Sequence, residues 1–130
     1  MKREVKALAR YRMDRARETF EDGTVLLREG SPNGAIGRFY YAAFHAARAL
    51  LAVKRLDAPR HTGVIKLFSQ HFVKTGVIFP ETAKVLSRSF EKRLDGEYED
   101  YVQFTKQEAE QVRDEVREFI RACEKALDDL

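Results

Sequence analysis

Ala9, Met13, Ala16, Phe20, Gly23 and Leu27 stand at steps of four and three along the first thirty residues. That spacing is one face of a helix. It predicts a helix from about Glu4 to Glu29, stopped by the turn Gly30-Ser31-Pro32-Asn33-Gly34. The pattern then changes. In the segment AIGRFYYAAFHAARALLAVK (residues 35–54) apolar residues go all the way round, which predicts the central helix of a bundle. Leu56-Asp57-Ala58-Pro59-Arg60 breaks it. A third helix is expected from near Thr62, with Val64, Ile65, Leu67, Phe68 and Phe72 on one side and Gly76 as its C-cap. Pro80 suits the first turn of a fourth helix, whose face is Ala83, Leu86, Phe90 and Leu94. Gly96 is expected to loosen or end it. Residues 97–104, EYEDYVQF, form an acidic and aromatic connector. Thr105-Lys106-Gln107-Glu108 is a capping box that opens a last helix carrying Ala109, Val112, Val116, Phe119, Cys123 and Ala126.

No strand pattern or internal repeat interrupts this series. The expected fold is all-α, an antiparallel four- to five-helix up-and-down bundle, with residues 1–130 forming one domain. The composition agrees: 44% hydrophobic and 35% charged residues describe a globular, helix-forming chain. The single cysteine, Cys123, leaves no disulfide framework or cysteine-built metal site within one chain. It fits a reducing compartment, and the chain is expected to be cytoplasmic. The start, MKREVKALARYR, lacks the apolar stretch of a signal peptide, and no uncharged run is long enough to span a membrane. No membrane partner is expected.

Charge sharpens the picture. The net charge is +3, but residues 1–60 hold 13 bases against 7 acids, and residues 61–130 hold 11 against 14. A basic half attracts phosphate. It can equally be a solvated face, or one that meets the acidic half of a second copy.

The central helix also carries cations. At about 100° per residue, Arg38, Tyr41, His45 and Arg48 fall within an arc of about 80°. An arginine on a buried helix needs water, an acid or a ligand. One reading pairs Arg38 and Arg48 with the acids of residues 95–100. The other opens the stripe to a cleft that accepts a nucleotide, for which the guanidinium fork is suited. Arg93, Glu97 and Tyr98, in Arg93-Leu94-Asp95-Gly96-Glu97-Tyr98, form a second polar cluster that can line the same cleft. His61 opens the third helix, where it can cap or touch a ligand, and His71 is expected at the rim. Three histidines so far apart do not make a metal-ligand spacing, so neither metal nor cofactor is expected. Phosphate-loop and nucleophile-elbow motifs are absent from the sequence.

Together, AIGRFYYAAFHAARALL, RHTGVIKLFSQHFVKTG, RLDGEY and the closing amphipathic helix resemble the HEPN domain, from about residue 10 to 127. The nearest likeness is to its small, stand-alone prokaryotic branch. The resemblance implies a helical bundle, commonly a homodimer. It also implies a frequent partnership with a minimal nucleotidyltransferase in toxin–antitoxin or defence pairs. Some members are metal-independent ribonucleases with an arginine followed four to six residues later by a histidine. The matching arginine here is Arg93, but Tyr98 stands five residues on, preceded by Glu97. A phenol, which ionises near pH ~10, is a poor base at neutral pH. Gly37 is a second departure, where relatives often have asparagine. The expected role is therefore a module that binds nucleotide, RNA or a nucleotidyltransferase partner through Arg38, Tyr41, His45, Arg48, Arg93, Glu97 and Tyr98. No catalytic residue is assigned. A metal-independent ribonuclease and a purely structural interaction protein are the alternatives.

Overall fold

A computed structural model describes residues 2–130. The helices are α1 (Arg3–Arg28), α2 (Pro32–Val53), α3 (His61–Phe68), α4 (Pro80–Tyr98) and α5 (Lys106–Asp129), with a π-helical turn, Ser69–Val73, continuing α3. The chain is an all-α helical bundle, and among the described residues no helix is long and apolar enough to cross a membrane.

α2 is the central element and packs against α1, α3, α4 and α5. Its buried set, which includes Ile36, Phe39, Tyr40, Leu50, Leu51 and six of its alanines besides Ala35, faces every neighbour. Small side chains let the flanking helices come close. On α1, a Cβ added at Gly23 would lie 2.7 Å from the Phe39 ring, so the two helices fit only because that position carries none. The other helices bury narrower stripes: Ala9, Met13 and Ala16 on α1, Val85, Leu86 and Ser89 on α4, and Val112, Val116, Phe119 and Cys123 on α5.

The helix ends obey local chemistry. In the capping box of α5, Thr105 Oγ1 accepts from the Glu108 N–H at 3.0 Å, and the Thr105 N–H donates to Glu108 Oε1 at 3.0 Å. Two boundaries differ from those the sequence suggests. α2 begins at Pro32 rather than near residue 35, because Gly30 alone makes the reversal with φ +84° and Pro32 fits the first helical turn. α4 continues through Gly96 to Tyr98. Gly96 serves close approach instead, since a Cβ there would lie 3.2 Å from the Phe104 ring and 3.4 Å from Asn33 Nδ2.

Asn33, in the first turn of α2, clasps the α4–α5 connector. Its Nδ2 donates to the carbonyls of Gly96 and Val102 at 3.2 and 3.0 Å, and its Oδ1 accepts from the Phe104 N–H at 2.9 Å. Asn33→Ala strands three part-buried backbone groups. It should cost about 2 kcal/mol in urea unfolding, with amide exchange rising first at Phe104. An unchanged midpoint would show that the clasp contributes nothing.

Candidate nucleic-acid interface

Arg38 leaves the exposed side of α2 and lies over the ring of the half-buried Tyr41, its Cζ 5.0 Å from the centroid. Arg93, from α4, lies over the same ring at 4.8 Å and over Tyr40 at 5.9 Å. Two helices therefore bring two guanidinia to one phenol. Each such contact contributes from about 0.5 to 2 kcal/mol, rising as water is excluded. It fixes the cation without neutralising it.

The two arginines differ in their other partners. Arg38 makes no ion pair among the described residues. Arg93 is largely buried, with 12% of its side chain exposed, and pairs with Glu97 one turn along at 3.2 Å. Its Nε is buried with no hydrogen-bond partner. Gly37 makes this arrangement possible, since a Cβ there would stand 3.2 Å from Glu97 Oε1 and 4.0 Å from Arg93 Cγ. Tyr98 projects away, 69% exposed. Tyr101, on the connector, has φ +66° and is fully exposed.

The acids of residues 95–100 do not neutralise the arginines of α2. Arg48 turns to Asp57 in the α2–α3 link, with Nη2 to Oδ2 at 2.7 Å and Nε to Oδ1 at 3.2 Å. Asp57 lies only nine residues along and past the end of the helix, so its fork-to-fork geometry forms locally. Arg12 of α1 joins the cluster, donating to the Arg48 carbonyl at 3.1 Å and meeting Asp57 at 3.4 Å. These hydrogen bonds hold the Asp57 carboxyl below its ordinary range. Arg48 is thus a tethered cation, and its guanidinium lies 5.8 Å from the Phe44 centroid.

His45 sits between these groups, half-buried. Burial, followed by the charges of Arg15, Arg48, Arg38 and Arg12, pushes its pKa down to about 4. The imidazole is therefore neutral at physiological pH and enters the stripe as an uncharged donor or acceptor.

His61 belongs to an aromatic cluster. Its ring stacks on Phe44 at 4.4 Å and on Phe90 at 5.7 Å, and its Nδ1 lies 2.6 Å from the Tyr40 hydroxyl. Burial and the nearby Arg93 charge lower its pKa. His71 is half-buried on the π-helical turn, away from this cluster in the sequence pattern, and its carbonyl accepts from Thr75.

The structure thus brings Arg38, Tyr41, Arg93 and Glu97 together. It places His45 and Arg48 further along the same stripe and turns Tyr98 outward. Sequence reasoning missed Arg12, Arg15, Tyr40, Asp57 and the packing of His61. The basic run of α1 was visible, but which side of α1 meets α2 was not. A hollow of about 410 Å³ adjoins Arg12 and Asp57, and one of about 440 Å³ lies near Phe79 and Leu130; neither is lined by Arg38, Tyr41 or Arg93. No three His, Cys, Asp or Glu side chains among the described residues are grouped to hold a metal ion.

A family model for the HEPN domain matches residues 9–126. The chain belongs to the HEPN domain family. A Thermotoga maritima relative named "UPF0332 protein" is 38% identical over 130 residues, covering 98% of this chain and 96% of the relative. Two Methanocaldococcus jannaschii relatives carry the name "Putative toxin". One is 33% identical over 88% of this chain and 85% of its own length, the other 27% identical over 97% and 83%. In this HEPN domain Arg93 is built into the α2–α4 contact.

The depressed His45 pKa has a sign that can be checked. Above pH 6.5 the group is neutral both folded and unfolded and contributes no pH dependence. As pH falls from 6.5 toward 4, the unfolded chain binds a proton that the folded chain refuses, so stability is lost. His45→Gln should flatten that part of a urea-midpoint profile. Superimposable wild-type and variant slopes would remove the assignment.

Proposed function

We propose that this HEPN domain binds a phosphate-bearing nucleic-acid ligand, RNA or nucleotide, on the face formed by α2 and the last turns of α4, as the effector of a toxin-like pair. The supporting observation is the pair of arginines on Tyr41. Arg38 is exposed and has no carboxylate among the described residues, and Arg93 keeps a buried Nε without an acceptor. Arg38, held by a ring and not by an acid, keeps its field available to a phosphate. The half-buried rings of Tyr41 and Phe44 offer surfaces on which a base can stack. His45, Arg48, Arg15 and Arg12 extend the basic strip along the α1–α2 seam. Glu97 competes with the ligand for Arg93, and Tyr98 stands at the border.

Relatives named as toxins support an effector role and a companion protein that restrains it. A minimal nucleotidyltransferase is the companion the family resemblance implies. A second copy of the chain belongs to the same reading. Phe79 is 78% exposed beside Val77 and Leu130, an apolar patch on a chain otherwise rich in surface charge. Binding is the activity this face supports, because α4 sets the Glu97 carboxylate against Arg93 and turns Tyr98 outward, and the arginine–histidine spacing that the resemblance associates with ribonucleases is not met on α4.

Titration with a fluorescent single-stranded RNA should give a Kd that weakens steeply with salt. Arg38→Ala should weaken it about tenfold or more, because a charge-assisted contact is lost. Wild-type affinity in Arg38→Ala and Arg93→Ala, or no binding of RNA or nucleotide at low salt, would defeat the reading. Cleavage of that RNA without metal, abolished by Arg93→Ala, would replace it with the ribonuclease alternative. Light scattering at micromolar concentration should report a dimer that Phe79→Ser dissociates; a monomeric wild type would remove the second copy.

A further inference from the structure

Tyr40 is wholly buried, and among the described residues its hydroxyl has one hydrogen-bond partner, His61 Nδ1 at 2.6 Å. A buried phenol proton with a single acceptor in reach must go to that acceptor, since leaving it unmade costs more than any alternative gains. Burial also pushes the Tyr40 pKa up, so the phenol keeps its proton. The imidazole therefore accepts at Nδ1, and in its neutral form its own proton is on Nε2.

That second nitrogen makes no hydrogen bond among the described residues. It is on the opposite side of the ring from the nitrogen that meets the buried hydroxyl. The ring plane is fixed by stacking on Phe44 at 4.4 Å and on Phe90 at 5.7 Å. The ring also packs edge-on to Tyr41 at 5.6 Å, and Tyr41 is the ring that carries both Arg38 and Arg93. Tyr40, the phenol that orients His61, lies under Arg93 as well, at 5.9 Å.

We propose that His61 is a ligand-contacting residue of the Arg38/Arg93 face, donating Nε2–H to a phosphate oxygen, and that Tyr40 is the positioning residue which fixes its tautomer. This inference rests on the phosphate-binding reading given above. Two arginines supply charge but tolerate many approach angles. A neutral donor at a fixed angle supplies direction. The arrangement is a buried phenol holding an imidazole so that its free N–H joins the cations, and it uses a residue from α3, outside both polar clusters visible in the sequence.

The test uses full-length protein and a 5′-phosphorylated uridine pentanucleotide. In long-range ¹⁵N spectra of free wild type, His61 should show Nδ1 unprotonated and Nε2 protonated, and added pentanucleotide should move the Nε2 signal. His61→Ala should weaken binding about tenfold, the effect of one directed hydrogen bond. His61→Gln, which returns an N–H near Nε2, should recover part of that loss. Tyr40→Phe keeps the ring and should give a mixture of tautomers with weaker binding. Should Tyr40→Phe fail to fold, the wild-type spectrum and the Ala/Gln pair still decide. An Nδ1-protonated ring in wild type overturns the proposal. So does wild-type affinity in His61→Ala while Arg38→Ala is impaired, and in that case the phosphate-binding reading stands. If wild type binds no pentanucleotide at all, both fall.

Discussion

A helix surrounded by neighbours can show water only a narrow strip, and in this molecule everything follows from how that strip is filled. α2 packs against four other helices, and its alanines and Gly37 let them approach closely. The cations it carries cannot lie on the covered sides without partners, because an unpaired buried charge is too costly. They are gathered on one seam. There aromatic rings support them from below and neighbouring helices add more cations from the side. The basic character of the face is thus a consequence of packing as much as of composition.

Within that seam the carboxylates are unevenly shared. Asp57 serves Arg48 and Arg12, Glu97 serves Arg93, and Arg38 has only a ring. On the far flank α1 and α5 are joined by Arg17 with Glu124 and by Arg10 with Asp128. Those pairs are solvent-exposed and worth little individually. They give Glu124 and Asp128 of the acidic C-terminal half partners within the same chain. Arg38, which has no carboxylate, stands where α2 meets α4, which is where the unpartnered Arg93 Nε also lies.

Much of this architecture was legible in the chain itself. Apolar stripes located α1, α3, α4 and α5, an apolar run all the way round located α2, and the Thr105/Glu108 pair marked the start of α5 correctly because a capping box is a local device. Arg38 was visible as a candidate, since a cation in an apolar run asks for an explanation, and Arg93 as part of a second polar cluster. The partners were not visible. The acids of residues 95–100 looked suited to α2 by charge alone, but α4 keeps Glu97 for its own Arg93, and Arg48 finds Asp57 just beyond its own helix. The burial of Tyr40 and its bond to His61 depend on the angle at which α3 crosses α2, which periodicity does not encode. Asn33 reads as a turn residue in the sequence. Its role as a clasp appears only when residues 69 and 71 positions away are brought beside it.

Gly37 gives the family scaffold an adjustable setting. The hydrogen atom at that position leaves 3.2 Å between an added methyl and the Glu97 carboxylate, so the ion pair on Arg93 is as tight as a missing side chain allows. A larger residue would require the Glu97 carboxylate to give by a few tenths of an ångström, beside its ion pair with Arg93. Because Gly37 is also a buried position inside α2, where glycine costs about 1 kcal/mol relative to alanine, the setting of the Arg93 ion pair and the stability of the helix meet at one residue.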